Sequence, residues 1–228
     1  MMGSARLATV VLCLFAGGAR AGDPPGWASP CPEGRSVCVP LDVWVVDGVA
    51  VSAAWFAEQL AEANRTFAAV DTGFSVASVQ ALPAEVGHVA TRADRDALGE
   101  GRWREAAVSV YVVARLDDVD ADGQIRGVHW RRGEKGGAPS WIIVSAIAPP
   151  IVLAHELGHR FGLRHGRAPE SIMNKAPRTD PDPATWGFTT REQRTLRREL
   201  RRFAANGGGR APGPSGGRSG LTGPEETR

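Results

Sequence analysis

Two histidines four residues apart, with a third six residues further on behind a glycine, restrict this chain more than any other feature. The segment reads His155-Glu156-Leu157-Gly158-His159-Arg160-Phe161-Gly162-Leu163-Arg164-His165. Positions i and i+4 of a helix share a face, so His155 and His159 can aim ring nitrogens at one point. Gly162 can adopt φ > 0, end the helix and turn the chain, so that His165 returns to that point. Glu156 follows the first histidine and falls beside the point, not on it. Three neutral imidazoles with one open position suit Zn2+ in a catalytic site, whereas a structural site is closed by a fourth protein ligand. Other divalent ions also accept three imidazoles. Three of the five histidines of the 228-residue chain lie in this one segment. Five fixed positions of this kind coincide by chance about once in 10⁵ such chains, which disfavours a helix with merely structural histidines.

The flanking pattern builds the rest of a domain around that helix, which spans Ile151 to Phe161 and is opened by Pro149-Pro150. Val39 to Val46 reads as a strand ended by Asp47-Gly48. Ser52 to Val70 has helical spacing, with Phe56, Leu60, Ala63 and Phe67 on one stripe, Trp55 beside it and Ser52 as N-cap. Phe74 to Leu82, Ala107 to Leu116, Ile125 to Arg131 and Trp141 to Ala146 read as strands, the second apolar enough to be central. A last helix, Thr189 to Phe203, starts with a capping box of Thr189 and Glu192 and buries Leu196, Leu200 and Phe203. Six arginines surround that stripe, a pattern expected of a solvated face more than of an anionic partner. The order predicts an α+β (mixed α/β) fold, a twisted sheet packed on two long helices with a C-terminal helix behind.

The ends read differently from the middle. Residues 1–21 have the pattern of a secretory signal: Arg6, an apolar stretch from Leu7 to Ala16, then Ala19-Arg20-Ala21 before Gly22. Its removal takes Cys13 away and leaves Cys31 and Cys38, an even pair expected to form a disulfide in an oxidising compartment. The N-terminal segment would then be residues 22–38, the folded domain 39–204, and the Gly/Pro/Ser-rich 205–228 a disordered tail. Export to the periplasm or the outside is the expected localisation. Lys+Arg 27 against Asp+Glu 25 gives a net charge of +2, so no basic field advertises a nucleic acid. No apolar run is long enough to cross a membrane as a helix. A monomer is expected.

The run HELGHRFGLRH resembles the zinc-binding signature of the metzincin metallopeptidases, H-E-x-x-H-x-x-G-x-x-H. Ser171-Ile172-Met173-Asn174 resembles the family's Met-turn, and the order of strands and helices is similar as well. The resemblance implies a zinc helix at the floor of a cleft, with His155, His159 and His165 as zinc ligands, Glu156 as general base and Met173 beneath the metal. It also implies hydrolysis of a peptide or protein substrate: zinc-activated water attacks and Glu156 carries the proton to the leaving amine. The strand Ile125 to Arg131 would be the rim on which substrate pairs, bringing His129 and Trp130 against it. Lys175 to Arg178 would shape the pocket for the residue after the scissile bond.

The resemblance is incomplete at the subfamily level. Gly166 follows the third histidine, where matrixins have Ser, reprolysins Asp, astacins Glu and serralysins Pro. Asn174-Lys175 follow the methionine, so the Tyr ligand of astacins and serralysins is missing. No matrixin-type cysteine switch precedes the domain, and Gly22 to the first strand is too short for a customary prodomain. A matrixin-like or pappalysin-like bacterial branch is the nearest expectation. The alternative is a non-catalytic peptide- or protein-binding module with structural zinc, which an intact Glu156 argues against. A second metal is suggested by Asp118, Asp120 and Asp122, whose D-x-D-x-D-G run matches the start of a Ca2+ loop, although His129 stands where an EF-hand has its bidentate Glu.

Overall fold

In the computed structural model, residue 27 and residues 29–133, 138–177 and 181–209 are described. The expected signal segment and residues 210–228 of the expected tail lie outside them. Strand β1 (Val37–Val46) is followed by helix α1 (Ala53–Phe67), strand β2 (Thr72–Leu82), a short strand β3 (His88–Val89) and helix α2 (Arg92–Gly99). Then come β4 (Val108–Val113), a short β5 (Arg115–Leu116), β6 (Gly127–Arg131), β7 (Ser140–Ser145), α3 (Ile151–Arg160) and α4 (Thr190–Ala205).

Five strands form one sheet in the order β2-β1-β4-β7-β6. The first four run parallel, and β6 lies antiparallel to β7 at the edge. All six residues of β4 and of β7 are buried, as parallel strands covered on both faces should be. On one face α1, α3 and α4 close the larger core. The α1 stripe Phe56, Leu60, Ala63 and Phe67 meets Leu153, Leu157 and Phe161 of the zinc-motif helix and its end, with Leu196, Leu200 and Phe203 of α4 behind them. On the other face Leu82, Leu98, Tyr111, Leu116 and Trp141 form a second core under α2. Gly99 lets α2 approach there, because a Cβ would fall 2.3 Å from the Trp141 ring.

Ser52 caps α1 by accepting from Trp55 N–H at 3.1 Å. The start of α3 has no such cap of its own, since Pro150 offers no side-chain acceptor. Gln59, fully buried on the α1 stripe, substitutes for it. Its Nε2 donates to Ala148 O at 2.9 Å and its Oε1 accepts from Leu153 N–H at 3.2 Å. One long helix thus sets the position of the other.

The structure adds β3 and α2 to the expected elements and splits the expected strand 107–116 into β4 and β5. It also extends the body at both ends. Trp27 stacks on Phe56 with centroids 5.2 Å apart, and Ser29 bridges to Val76. Cys31 and Cys38 form a disulfide. Beyond α4, Gly208 packs on Phe203, and Gly209 lies against Cys38 O. No helix among the described residues is long and apolar enough to cross a membrane.

Candidate metal centre

The α3 helix presents His155 and His159 on one face, as their spacing requires. It ends at Arg160, the φ of 88° at Gly162 reverses the chain, and Leu163 N–H closes back on Gly158 O at 2.9 Å. That reversal returns His165 to the same place. The three Nε2 atoms are mutually close: 3.1 Å between His155 and His159, 3.1 Å between His159 and His165, and 3.3 Å between His155 and His165.

The other ring nitrogens explain the orientation. His155 Nδ1–H donates to Ile172 O at 2.7 Å, and His159 Nδ1–H donates to Leu163 O at 2.9 Å. With the protons on Nδ1, the Nε2 lone pairs of both rings face the common point. Burial lowers the pKa of all three imidazoles, that of His155 to about 4 against the backbone hydrogen bond that raises it. Each ring is thereby held neutral, the form that binds a metal. Tetrahedral ligands at a Zn–N distance of 2.0–2.1 Å lie roughly 3.3 Å from one another. The triad fits that spacing, and its three ring nitrogens converge closely enough to hold one cation.

Glu156 is 6% exposed, on the face of α3 turned toward β6. Its Oε2 accepts the His129 main-chain N–H at 2.7 Å. Burial pushes its carboxyl up to about 8, while that hydrogen bond opposes the shift. The close approach of strand and helix depends on Gly127: a Cβ there would stand 2.5 Å from Val152 Cγ1 and 3.2 Å from Glu156 Cγ. Alternation along β6 places Gly127, His129 and Arg131 together. Arg126 O and Arg132 N–H bond toward the β7 side at 2.9 Å, so the polar main-chain groups of the alternate residues face the open edge.

Met173 is fully buried beneath the helix, where its Sδ would lie 2.7 Å from a Cβ on Gly158. Ser171 holds that turn. Its Oγ accepts from Met173 N–H at 3.0 Å and donates to the Glu192 carboxylate at 2.8 Å. Glu192 is also the capping-box residue of α4, accepting from Thr189 N–H at 2.8 Å. One carboxylate therefore ties the turn under the histidines to the last helix.

Two adjoining cavities open at the triad. One, of about 780 Å³, is mainly apolar, lined by Ile125, Ile147, Ile151, Val152, Ile172 and Trp186 with Asn174–Pro177 at its rim. The other, of about 690 Å³, is lined by the three histidines, His129, Arg131, Arg164 and Lys175. Glu156 borders both. Of the expected pocket-shaping run, residues 175–177 line the apolar cavity, and Arg178 is outside the described residues.

Two sequence expectations need correction. Trp130 does not face the cleft. It turns to the second core, donates from Nε1–H to Asp96 Oδ1 at 2.8 Å and carries the Arg95 guanidinium 5.1 Å from its ring centroid. Period-2 alternation on β6 makes this unavoidable once His129 faces α3. Asp118, Asp120 and Asp122 are not gathered as ligands. Among the described residues the only His/Cys/Asp/Glu group of metal-binding closeness is the histidine triad. Asp120 is instead paired with Arg92, and Asp118 Oδ1 accepts from Asp120 N–H at 3.0 Å. The acidic run is a turn closed on itself, and nothing supports calcium there.

Sequence pattern alone does not single out Gln59, Gly127 or the Ser171–Glu192 tie. A polar residue on the apolar stripe of α1 is the signal that could have marked Gln59.

No protein-family model matches the chain, and no curated protein matches it in sequence. Among solved structures it is similar to the crystal structure of archaemetzincin from Methanopyrus kandleri, with 19% identity over 75% of this chain and 98% of that one, and a TM-score of 0.53. Metalloproteinase-II from Bacteroides fragilis is also similar, with 12% identity over 78% of this chain and 59% of that one, and a TM-score of 0.49. The likeness to archaemetzincin shows a shared fold, of the mixed α/β class expected from the sequence.

Proposed function

We propose that this chain is an exported zinc-dependent endopeptidase of metzincin type. The observation that carries the reading is the convergence of three Nε2 atoms within 3.1–3.3 Å beside a buried glutamate that borders the same cleft. His155, His159 and His165 would hold the metal, with Met173 packed beneath them. When bound, zinc supplies Lewis-acid polarisation of the scissile carbonyl and makes water a nucleophile near neutral pH. A cation held by the triad would favour the carboxylate form of Glu156 against its burial, and that carboxylate takes the proton of the attacking water and delivers it to the leaving amine. The His129 N–H fixes one of its oxygens. The other has no hydrogen-bond donor among the described residues and is the one that moves the proton.

An extended peptide pairs with the open edge of β6 through Gly127, Arg131 and the His129 carbonyl, the His129 N–H being held by Glu156, which aligns its scissile bond over α3. Export is supported by the Cys31–Cys38 disulfide and by the signal pattern of residues 1–21. In this reading residues 22–38 are a disulfide-clasped lead-in to a catalytic domain that begins at about residue 39, and the chain acts as a monomer.

Incubating the zinc-loaded chain with a proteome-derived peptide library, and mapping new termini by mass spectrometry, tests the assignment. Glu156→Gln should keep fold and zinc but lose about 10²-fold or more in kcat. His159→Ala should lose the metal. Full activity in Glu156→Gln would overturn the mechanism. A folded, zinc-loaded wild type that binds peptides without cleaving them would instead make the domain a binding module.

A further inference from the structure

Next to the cleft lies a cavity of about 330 Å³ that the mechanism does not use. Arg131 and Gly162 line both it and the triad-side cavity, so the two adjoin. Arg160, the residue after the second histidine, points into it. Its guanidinium lies over the Phe161 and Phe203 rings, 5.7 Å from each centroid. Stacking of that kind fixes the plane of the fork and leaves its N–H edges unused.

The unused donors are what stand out. Arg160 and Trp103 both line this cavity, and Arg160 Nε and Trp103 Nε1 are buried with no hydrogen-bond partner. Arg131 lines the same cavity as Arg160, and His129, which with Arg131 lines the triad-side cavity, has a buried Nε2 that is also unpartnered. Among the described residues neither arginine has an ion pair. The two acids on the cavity wall do not supply one: Glu199 is engaged by Arg198 at 2.7 Å and by Arg202 at 3.4 Å, and Glu105 is exposed. Elsewhere the arginines Arg65, Arg92, Arg104 and Arg115 each have a carboxylate. Two arginines on one cavity wall, with no ion-pair partner among the described residues, form a site for an anionic acceptor.

We infer that Arg131 and Arg160 form a carboxylate-binding subsite, and that the preferred substrate is a peptide carrying an Asp or Glu side chain on the side of the scissile bond away from the apolar cavity. The inference rests on the peptidase reading above and names its substrate class. A peptide paired along β6 passes Arg131 at the strand's end, so a side chain there has access to the cavity from the cleft. The acidic residue fixes register along the edge strand, which main-chain pairing alone leaves free to slip by two residues.

The test uses peptides cleaved in the library experiment, each remade with Glu, Gln or Lys at successive positions on that side. At one position Glu should exceed Gln by about tenfold or more in kcat/KM, the worth of a charge-assisted hydrogen bond. That ratio should collapse in Arg160→Met, which keeps an apolar body on the phenylalanine rings. Arg131→Glu, at an exposed position, should reverse the preference toward Lys, an outcome that impaired folding cannot produce. Equal cleavage of the Glu and Gln peptides by the wild type, or a ratio unchanged in both variants, overturns the subsite. If no peptide is cleaved, the peptidase reading fails, and binding of the same labelled peptides decides the subsite separately. Glu-peptide binding about tenfold tighter than Gln supports it, and equal affinity overturns it.

Discussion

At the scale of single residues, the site depends on one position that has no side chain. Gly127 allows β6 to sit on α3 so closely that the His129 N–H reaches Glu156 at 2.7 Å. Its φ is not in the left-handed region, so the requirement is contact, not backbone strain. Gly127→Ala would set a Cβ 2.5 Å from Val152 Cγ1, and either the strand or the helix must give way. Overpacking of this kind costs about 1–3 kcal/mol, and a shift of about 1 Å at a general base can cost about 10²-fold in rate. We expect peptide cleavage to fall by more than the stability loss alone would produce, read as kcat/KM beside a urea midpoint. Gly187→Ala, where a Cβ meets nothing within 4 Å, is the matched control and should change neither. An active, normally stable Gly127→Ala would show that the His129–Glu156 contact is dispensable. The contrast between Gly127 and the histidines explains what a sequence can disclose. His155, His159 and His165 were legible because their relation is local, set by helical period and one turn. The Gly127 contact joins residues far apart in the chain, and nothing near Gly127 in the pattern marks it. Arg160 is hidden similarly: beside the motif it reads as one more arginine in an Arg-rich chain, and only packing leaves its Nε without a partner.

At the scale of elements, α3 is held at its two ends by different neighbours. Its start borrows a cap from Gln59 of α1, and the turn beneath it is fastened through Ser171 to the capping box of α4. Gln59→Leu keeps the volume and the apolar stripe but leaves Ala148 O and Leu153 N–H unpaired in a buried place. That should cost about 1–3 kcal/mol, seen as a lower urea midpoint at unchanged slope. Because the loosened end carries His155, zinc affinity measured by competition with a chelator should weaken too. A stability loss with no change in affinity would mean that α3 keeps its place without the cap. The long elements follow from their periodicity, and their observed ends lie within a few residues of the pattern. The sequence does not disclose α2 or β3. α2 has eight residues, of which only Arg95, Leu98 and Gly99 are buried, too few for a stripe to show. β3 has two residues and exists only because β5 lies beside it. The splitting of the expected strand 107–116 has a similar cause, since Arg115–Leu116 leaves the main sheet to pair with β3.

At the scale of the whole molecule, the segment before β1 acts as a clasp on the sheet's far end from the edge strand. Trp27 stacks on Phe56, Ser29 bridges β2, and the Cys31–Cys38 ring rests on Gly73, where a Cβ would fall 2.9 Å from Pro32 Cδ. None of residues 31–38 lines either cavity at the triad. The clasp therefore bears on stability and not directly on chemistry. With a sequence separation of seven, the ring is short, and chain entropy assigns it roughly 2.5 kcal/mol. Replacing both cysteines by serine should lower the unfolding free energy by about that amount, while kcat/KM and zinc content per folded molecule stay as in the wild type. The same loss should appear in the unsubstituted chain under a thiol reductant and vanish on reoxidation, which separates the bond from the packing of the cysteine side chains. If cleavage fell with the disulfide at a temperature where the chain remains folded, the clasp would have to reach the cleft. The route would be β1 itself, which runs from the ring to the middle of the sheet and lies next to β4, the strand that separates it from β7 and the substrate edge.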